Sequence, residues 1–235
     1  MDARAAAAPA LILVGHAVQA AIIDLDGTMI DTLGDFHAAL SRLMDELGLP
    51  AVSREQVEHR IGKGSEYLVL QTLRIHLPDD QAQDLYPRAI ETYQRIYGTI
   101  NGQYSNPFPG VPEGLASLKA AGLRLACITN KPTRYARELL DIKGLLQHFE
   151  VVNGGDAFPR KKPDPMPLVE TCKQIGLPTA VVLMIGDSQN DALAARAAGC
   201  PVALVTYGYN HGEPVRAVDA DGFADRIGDL LCPPE

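Results

Sequence analysis

The chain has 235 residues, of which 46% are hydrophobic and 21% are charged, and its formal charge is −8. This composition is typical of a globular protein with a packed core and excludes a disordered chain. An acidic chain without a basic patch is a poor partner for nucleic acid, and no apolar run reaches the ~18 residues that a membrane-spanning helix needs.

Residues 1–16 are predicted to form a non-catalytic N-terminal extension. Their alanine-rich run could be taken for a signal peptide, but Pro9 and His16 interrupt the apolar stretch. The cysteines show no CxxC spacing, so we predict free thiols in a reducing, cytoplasmic compartment. These cysteines are Cys127, Cys172, Cys200 and Cys232.

The first predicted strand covers residues 18–24 and runs directly into two aspartates, Asp24 and Asp26, in the sequence DLDGT. Residues two apart in a strand point to the same side, so both carboxylates are expected to crowd one spot at the end of a buried segment. Like charges in a poorly hydrated site disfavour each other's ionisation, so the pair needs a nearby cation.

Residues 34–100 are predicted to be helical. The apolar residues of the first helix recur at steps of three and four residues, and Gly48 ends it. These residues are Phe36, Leu40, Leu43, Met44 and Leu47. Ser53 and Gln56 form a capping-box pattern that opens a second helix. Because no strand pattern interrupts this region, we predict a helical insert after the first strand.

Beyond residue 104, short apolar strands alternate with helices. Strands are predicted at residues 123–129, 149–153, 180–185 and 202–206, and helices at residues 132–144, 167–175 and 190–198. Near-continuous apolar strands separated by helices are typical of a parallel sheet covered on both faces. We therefore predict an α/β fold, with a Rossmann-like parallel sheet core, helices on both faces and an inserted α-helical cap domain.

Polar groups follow the predicted strands, at the edge where open parallel sheets bind their ligands. They are Asp24 to Thr28, Thr129 to Pro132, Asn153 to Asp156 leading on to Lys162, and Asp187-Ser188 with Asp191. Clustered carboxylate oxygens suit Mg²⁺, which commonly shares its ligand shell with a substrate phosphate. The set predicts a site that holds a phosphoryl group and stabilises its charge during transfer.

The candidate nucleophile is a carboxylate. No serine or cysteine lies in a recognisable nucleophile motif, and the G-x-x-x-x-G-K-[ST] phosphate loop is missing. An aspartate can attack phosphorus and form an aspartyl-phosphate, which splits one difficult step into two. Lys162 is preferred to Lys161 as the lysine of the site because it directly precedes Pro163-Asp164.

Four motifs, in this order, resemble those of the haloacid dehalogenase superfamily of phosphohydrolases. They are DLDGT at residues 24–28, Thr129-Asn130, Lys162-Pro163-Asp164 and GDSQND at residues 186–191. The resemblance covers nearly the whole chain after residue 17. It implies a catalytic core of residues 17–33 and 104–235, a substrate-selecting cap of residues 34–103, and Mg²⁺-dependent hydrolysis of a small phosphorylated substrate by a monomer or small homo-oligomer.

The resemblance also implies catalytic roles. Asp24 would be the nucleophile and a Mg²⁺ ligand. Asp26 would bind Mg²⁺ through its backbone carbonyl, and its side chain would act as general acid and then as general base. Lys162 would bridge Asp24 and the phosphate, and Asp187 would complete the metal site.

Other residues would bind phosphate or support the site. Thr129 and the Asn130 amide would hold phosphate oxygens, with Thr28 a further substrate-binding candidate. Asp191 would support the metal site from the next helical turn. Gly27 would let the backbone turn sharply after Asp26, and Ser188 would assist phosphate or metal or only cap a helix.

The segments NGQYSNPFPGVPEGL, TNKP and VTYGYNHGEP resemble the phosphoglycolate phosphatase branch of the superfamily, which implies 2-phosphoglycolate as substrate. Hydrolysis of another small phosphate, such as a sugar phosphate, stays open, as does a phosphoryl mutase. A non-catalytic phosphate-binding protein is a further alternative, but it would need neither Asp24 nor Asp26 as a chemical group. In the cap, Arg60 and Lys63 are candidates to meet a substrate carboxylate, unless their segment is only a solvated turn.

Overall fold

The computed structural model describes residues 11–231. Its α-helices, in chain order, are α1 (Leu33–Leu47), α2 (Arg54–Glu58), α3 (Ser65–Leu73), α4 (Asp79–Ile100), α5 (Val111–Ala120), α6 (Thr133–Ile142), α7 (Met166–Ile175) and α8 (Gln189–Ala198). Its strands are β1 (Leu11–Leu13), β2 (His16–Val18), β3 (Ala20–Ile23), β4 (Ile30–Asp31), β5 (Asn106–Pro107), β6 (Arg124–Ile128), β7 (Val151–Asn153), β8 (Val182–Gly186), β9 (Val202–Val205) and β10 (Gly222–Ala224).

The core is a parallel sheet of six strands in the order β10-β9-β8-β3-β6-β7. The chain runs outward from β3 through β6 and β7, and then returns to β8 on the other side of β3. The predicted α/β fold is confirmed. This order makes β3 the central strand at a topological switch point, where open α/β sheets bind their ligands.

Alternation along the buried strands supplies both faces of the sheet with apolar side chains. In β3, Ala21 and Ile23 pack into one apolar cluster, whereas Ala20 and Ile22 pack into another on the opposite face. Helices cover both faces, since α5 and α6 contribute to the first cluster and α7 and α8 to the second. Strands buried on both faces read as continuous apolar runs, which is why the sequence reveals them.

Helices α1 to α4 have an apolar core of their own, distinct from the two clusters of the sheet. The predicted capping box is confirmed, because the Ser53 hydroxyl accepts the Gln56 amide and the Gln56 side chain accepts the Ser53 amide. Where the helical segment rejoins the sheet, the buried Asp35 carboxylate accepts the amides of Gly102 and Tyr104 at 2.8 and 2.6 Å. These bonds tie the start of α1 to the chain that leaves α4.

The predicted first strand is split in the structure. Residues 16–18 pair with residues 11–13 in an antiparallel hairpin, and only residues 20–23 join the sheet. Part of the predicted N-terminal extension is therefore this hairpin, whose Leu13 is buried against the core. Residues 1–10 of that extension lie outside the described residues.

Two further features bear on the sequence expectations. Cys127, Cys172 and Cys200 are free and buried, as predicted, while Cys232 lies outside the described residues. Among helices within residues 11–231, none combines the length and apolar character needed to cross a membrane.

Candidate active site

The site lies at the carboxyl ends of three neighbouring strands. Ile23 of β3 is paired with Cys127 of β6 and with Ile185 of β8. Asp24 and Thr129 therefore begin the loops after β3 and β6 at the same edge of the sheet, where Asp187 follows β8. The structure brings these three predicted residues together, and all are almost fully buried.

A tight turn after β3 shapes the loop that carries both aspartates. The amides of Met29 and Ile30 donate to the Leu25 carbonyl, and the Gly27 amide donates to the Ile30 carbonyl. Gly27 has φ of +85°, and a Cβ atom there would collide with the Asp187 carboxylate. Glycine is required for both reasons, because only it adopts this conformation without strain and only it leaves room for Asp187.

Asp24, Asp187 and Asp191 form a buried cluster in which one carboxylate oxygen of each lies within 4.8 Å of the others. Burial, reinforced by the nearby carboxylates, raises the pKa of Asp24 well above its ordinary value, although Lys162 opposes the shift. Burial and the charge of Asp191 raise the pKa of Asp187 to about 7. Both shifts come first from burial, to which the neighbouring carboxylates add.

This donor set fits Mg²⁺. Three carboxylates face one lysine, so a divalent cation would balance the remaining charge if all three were ionised. Carboxylate oxygens are the ligands that hard cations of this kind prefer. Asp24 and Asp187 would hold the ion from two adjacent strands, with Asp191 beside them.

Lys162 is the lysine of this cluster. Its ammonium lies 2.9 Å from Asp24 Oδ1 and 2.6 Å from Asp191 Oδ1, and its side chain is only 1% exposed. Burial alone would lower the pKa of Lys162. The carboxylates of Asp191 and Asp24 outweigh this effect, so the pKa is raised above its ordinary value and the lysine stays charged. Lys161, the rival, has a side chain that is 33% exposed, and it pairs with Glu66 instead.

Neighbouring groups fix the carboxylates of Asp187, in the loop after β8, and of Asp191, in α8. The Thr28 hydroxyl donates to Asp187 Oδ1 at 3.0 Å, and the Tyr209 amide donates to Asp187 Oδ2 at 2.8 Å. The Ser188 hydroxyl donates to Asp191 Oδ2 at 2.8 Å. In this structure Thr28 and Ser188 therefore orient acidic residues of the site.

Asn130 connects the sheet with the helical segment. Its side-chain amide donates to the carbonyls of Gly62 and Lys162, both at 2.8 Å, and its side-chain oxygen accepts the Lys162 amide. The Thr129 hydroxyl accepts the amide of Lys131 at 3.2 Å. The Asn130 side chain thus holds the loop that carries Lys162 and contacts the segment around Gly62.

Lys131 is a site residue that the sequence reasoning did not single out. Its ammonium lies 2.9 Å from Asp26 Oδ1, and its side chain is 2% exposed. It also lies 4.4 Å from the Phe36 ring centroid and 4.9 Å from that of Tyr97. The available signal was its position, directly after two residues expected to hold phosphate at the end of β6.

A narrow cavity opens onto these residues, and we call it the central cavity. Its sheet side is formed by Asp24, Asp26, Thr129, Asn130 and Lys131, and its helical side by Phe36, Ile61, Gly62, Gly64, Ser65 and Leu68.

The structure does not bring Arg60 or Lys63 to the central cavity. The Arg60 guanidinium donates to the backbone carbonyls of Gln56 and Gln71, which ties α2 to α3. The Lys63 ammonium lies 5.1 Å from the Tyr67 ring centroid, and Lys63 lines a separate groove that includes His211 and Arg196. Of this loop, Ile61, Gly62 and Gly64 line the cavity.

Comparison with known proteins identifies the family to which this sequence is similar. The sequence model of a family described as haloacid dehalogenase-like hydrolase matches residues 21–205. A phosphoglycolate phosphatase of Thiobacillus denitrificans is 43% identical over 212 residues, covering 90% of this chain and 93% of the relative. One from Vibrio parahaemolyticus is 40% identical, covering 88% and 92%.

Solved structures with a similar fold include two examples. The crystal structure of a predicted phosphoglycolate phosphatase from Haemophilus somnus superposes with a TM-score of 0.85 at 33% identity, covering 91% of this chain and 96% of the other. A β-phosphoglucomutase-like structure from Thermotoga maritima shares the fold, with a TM-score of 0.67 at 23% identity and coverage of 91% and 97%. At that identity the second likeness supports the fold alone.

Proposed function

The chain belongs to the haloacid dehalogenase-like hydrolase family, and from that premise we propose that it hydrolyses 2-phosphoglycolate to glycolate and inorganic phosphate with the help of Mg²⁺. It is a phosphoric monoester hydrolase, as its relatives are. The observation that supports the mechanism best is the position of the Asp24 carboxylate. It lies 2.9 Å from the Lys162 ammonium at the carboxyl end of β3, and Asp24 lines the central cavity.

In the proposed first step, an Asp24 carboxylate oxygen attacks phosphorus and the bond to the leaving oxygen breaks. Asp26 donates a proton to that oxygen, so glycolate departs with its hydroxyl group restored. The product on the enzyme is an aspartyl-phosphate at residue 24. Lys162 stabilises the negative charge shared by Asp24 and the phosphoryl oxygens.

In the second step, water attacks the same phosphorus while Asp26, now a carboxylate, accepts its proton. The bond between phosphorus and Asp24 breaks, which frees inorganic phosphate and regenerates the carboxylate. The Thr129 hydroxyl and the backbone amide of Asn130 hold the phosphoryl oxygens through both steps. Mg²⁺, when bound by Asp24, the Asp26 carbonyl and Asp187, would neutralise phosphoryl charge and orient the group.

A phosphate-release screen over small phosphomonoesters tests the proposal. With Mg²⁺ present, we expect 2-phosphoglycolate to give the highest kcat/KM, above those of sugar phosphates. Phosphate release without an added sugar bisphosphate would also separate a hydrolase from a mutase. A higher kcat/KM for a sugar phosphate would refute the substrate assignment, and an Asp24→Asn variant as active as wild type would refute the mechanism.

A further inference from the structure

The helical wall of the central cavity carries no charged side chain. It consists of Ile61, Gly62, Gly64, Ser65 and Leu68 together with the Phe36 ring. None of these side chains is ionisable. A carboxylate placed against this wall would lose its hydration without gaining a counter-charge there, which is unfavourable.

Lys131 is the one cationic side chain that lines the central cavity within residues 11–231. The other buried lysine, Lys162, is occupied by Asp24, Asp191 and the Ile128 carbonyl. Arg60 and Lys63, the residues that the sequence offers for meeting a substrate carboxylate, lie elsewhere. A second negative group on the substrate therefore has one cation within the cavity to approach.

The surroundings of Lys131 leave it able to bind such a group. An ammonium has three donors, and the described residues give this one a single hydrogen-bond acceptor, Asp26 Oδ1. The Phe36 and Tyr97 rings lie against it on other sides and stabilise its charge without accepting a conventional hydrogen bond. The ammonium is thus held in place with donor capacity left over at the cavity wall.

We propose that Lys131 is the specificity residue of this site, and that it selects phosphate esters of short hydroxy acids by pairing with the substrate carboxylate. This inference rests on the proposed function and adds the residue that recognises the acid group. Lys131 adjoins both the residues expected to hold phosphate and Asp26. A substrate only two carbons long could therefore reach both its phosphate and its carboxylate partners.

The test compares two substrates of matched length, 2-phosphoglycolate and 2-hydroxyethyl phosphate, in which a hydroxymethyl group replaces the carboxylate. For Lys131→Met we expect the ratio of their kcat/KM values to fall about 10- to 100-fold, the range for a hydrogen bond to a charged group. The loss should appear mainly as a higher KM for 2-phosphoglycolate. Any slowing caused by a loosened Asp26 affects both esters and cancels in the ratio.

Lys63→Met is the matched control, since it removes the same charge from a lysine outside the central cavity, and its ratio should equal that of wild type. Lys131→Arg should keep part of the selectivity. An equal loss on both esters in Lys131→Met would overturn the inference and make Lys131 a positioning residue for Asp26. A ratio that collapses in Lys63→Met instead would return the role to the cap loop.

The wild-type enzyme keeps the inference testable if Lys131→Met fails to fold. Lys131→Gln, which retains a donor for Asp26 without the charge, is then the second variant. If wild type hydrolyses both esters with similar kcat/KM, the inference fails while the phosphatase activity stands. If wild type hydrolyses other phosphomonoesters but not 2-phosphoglycolate, both the proposed substrate and the inference fail.

Discussion

Replacing Lys162 with methionine tests how the buried charges of the site depend on one another. The substitution removes a cation that is 1% exposed and that contacts two carboxylates, at 2.9 Å for Asp24 and 2.6 Å for Asp191. Breaking a buried ion pair from one side costs about 3–5 kcal/mol, because the partner is left buried and uncompensated. Since two partners are left here, we expect the upper part of that range, about 4–5 kcal/mol.

Lys161→Met is the control, because it removes the same charge one residue away. Lys161 and its partner Glu66 have side chains that are 33% and 53% exposed, so solvent already screens their interaction. An exposed pair contributes roughly 0–1 kcal/mol. The double variant Lys162→Met/Asp191→Asn should be less destabilised than the sum of its single changes, because one orphaned carboxylate is gone.

The assay is chemical unfolding at neutral pH in EDTA, so that a bound cation does not replace the missing ammonium. A loss of 4–5 kcal/mol is a large part of the ~5–15 kcal/mol that stabilises a typical domain, so the variant should unfold at much lower denaturant. If Lys162→Met loses no more free energy of unfolding than Lys161→Met, the buried charge network does not contribute as described.

The remaining predictions concern the metal and the turn after Asp26. EDTA should abolish phosphate release, and excess Mg²⁺ should restore it. Mg²⁺ should also raise the Tm of wild type but not that of Asp187→Asn, so equal Tm shifts in both proteins would contradict the metal assignment. Gly27→Ala should lower kcat/KM by about 100-fold or more, because its Cβ displaces the Asp187 carboxylate. The control is Gly122→Ala, because Gly122 has φ of +94° with open space around it; this variant should keep its activity and lose only about 1–2 kcal/mol of stability. Similar activity losses in Gly27→Ala and Gly122→Ala would refute the steric argument.

Patterns that depend on neighbours in sequence were predictable. Apart from β10, the strands of the core are apolar runs, and the Ser53–Gln56 capping box depends on only four consecutive residues. Strand β10 was missed because Gly222–Ala224 is three residues long and lacks an apolar run. The hairpin was missed because its strands also have only three residues each, and its apolar residues merge with those of β3.

Predicting the site was harder wherever the outcome depended on tertiary packing. The strand-end rule placed Asp24, Thr129 and Asp187 at one edge, since it needs only the order of strands. It does not say which way a lysine turns. Lys131 is enclosed by rings from α1 and α4, while Lys63 turns toward a different groove. Both orientations follow from how the helical segment packs on the sheet, which no local pattern encodes.

The most direct test of the account is to trap the phosphoryl group on Asp24. Enzyme turning over 2-phosphoglycolate with Mg²⁺ is quenched at successive times, treated with borohydride and digested for mass spectrometry. We predict that residue 24 is recovered in part as homoserine, the reduction product of an aspartyl-phosphate, only when substrate is present. Steady phosphate release with residue 24 unmodified at every quench time, or with the modification at another residue, would contradict the account.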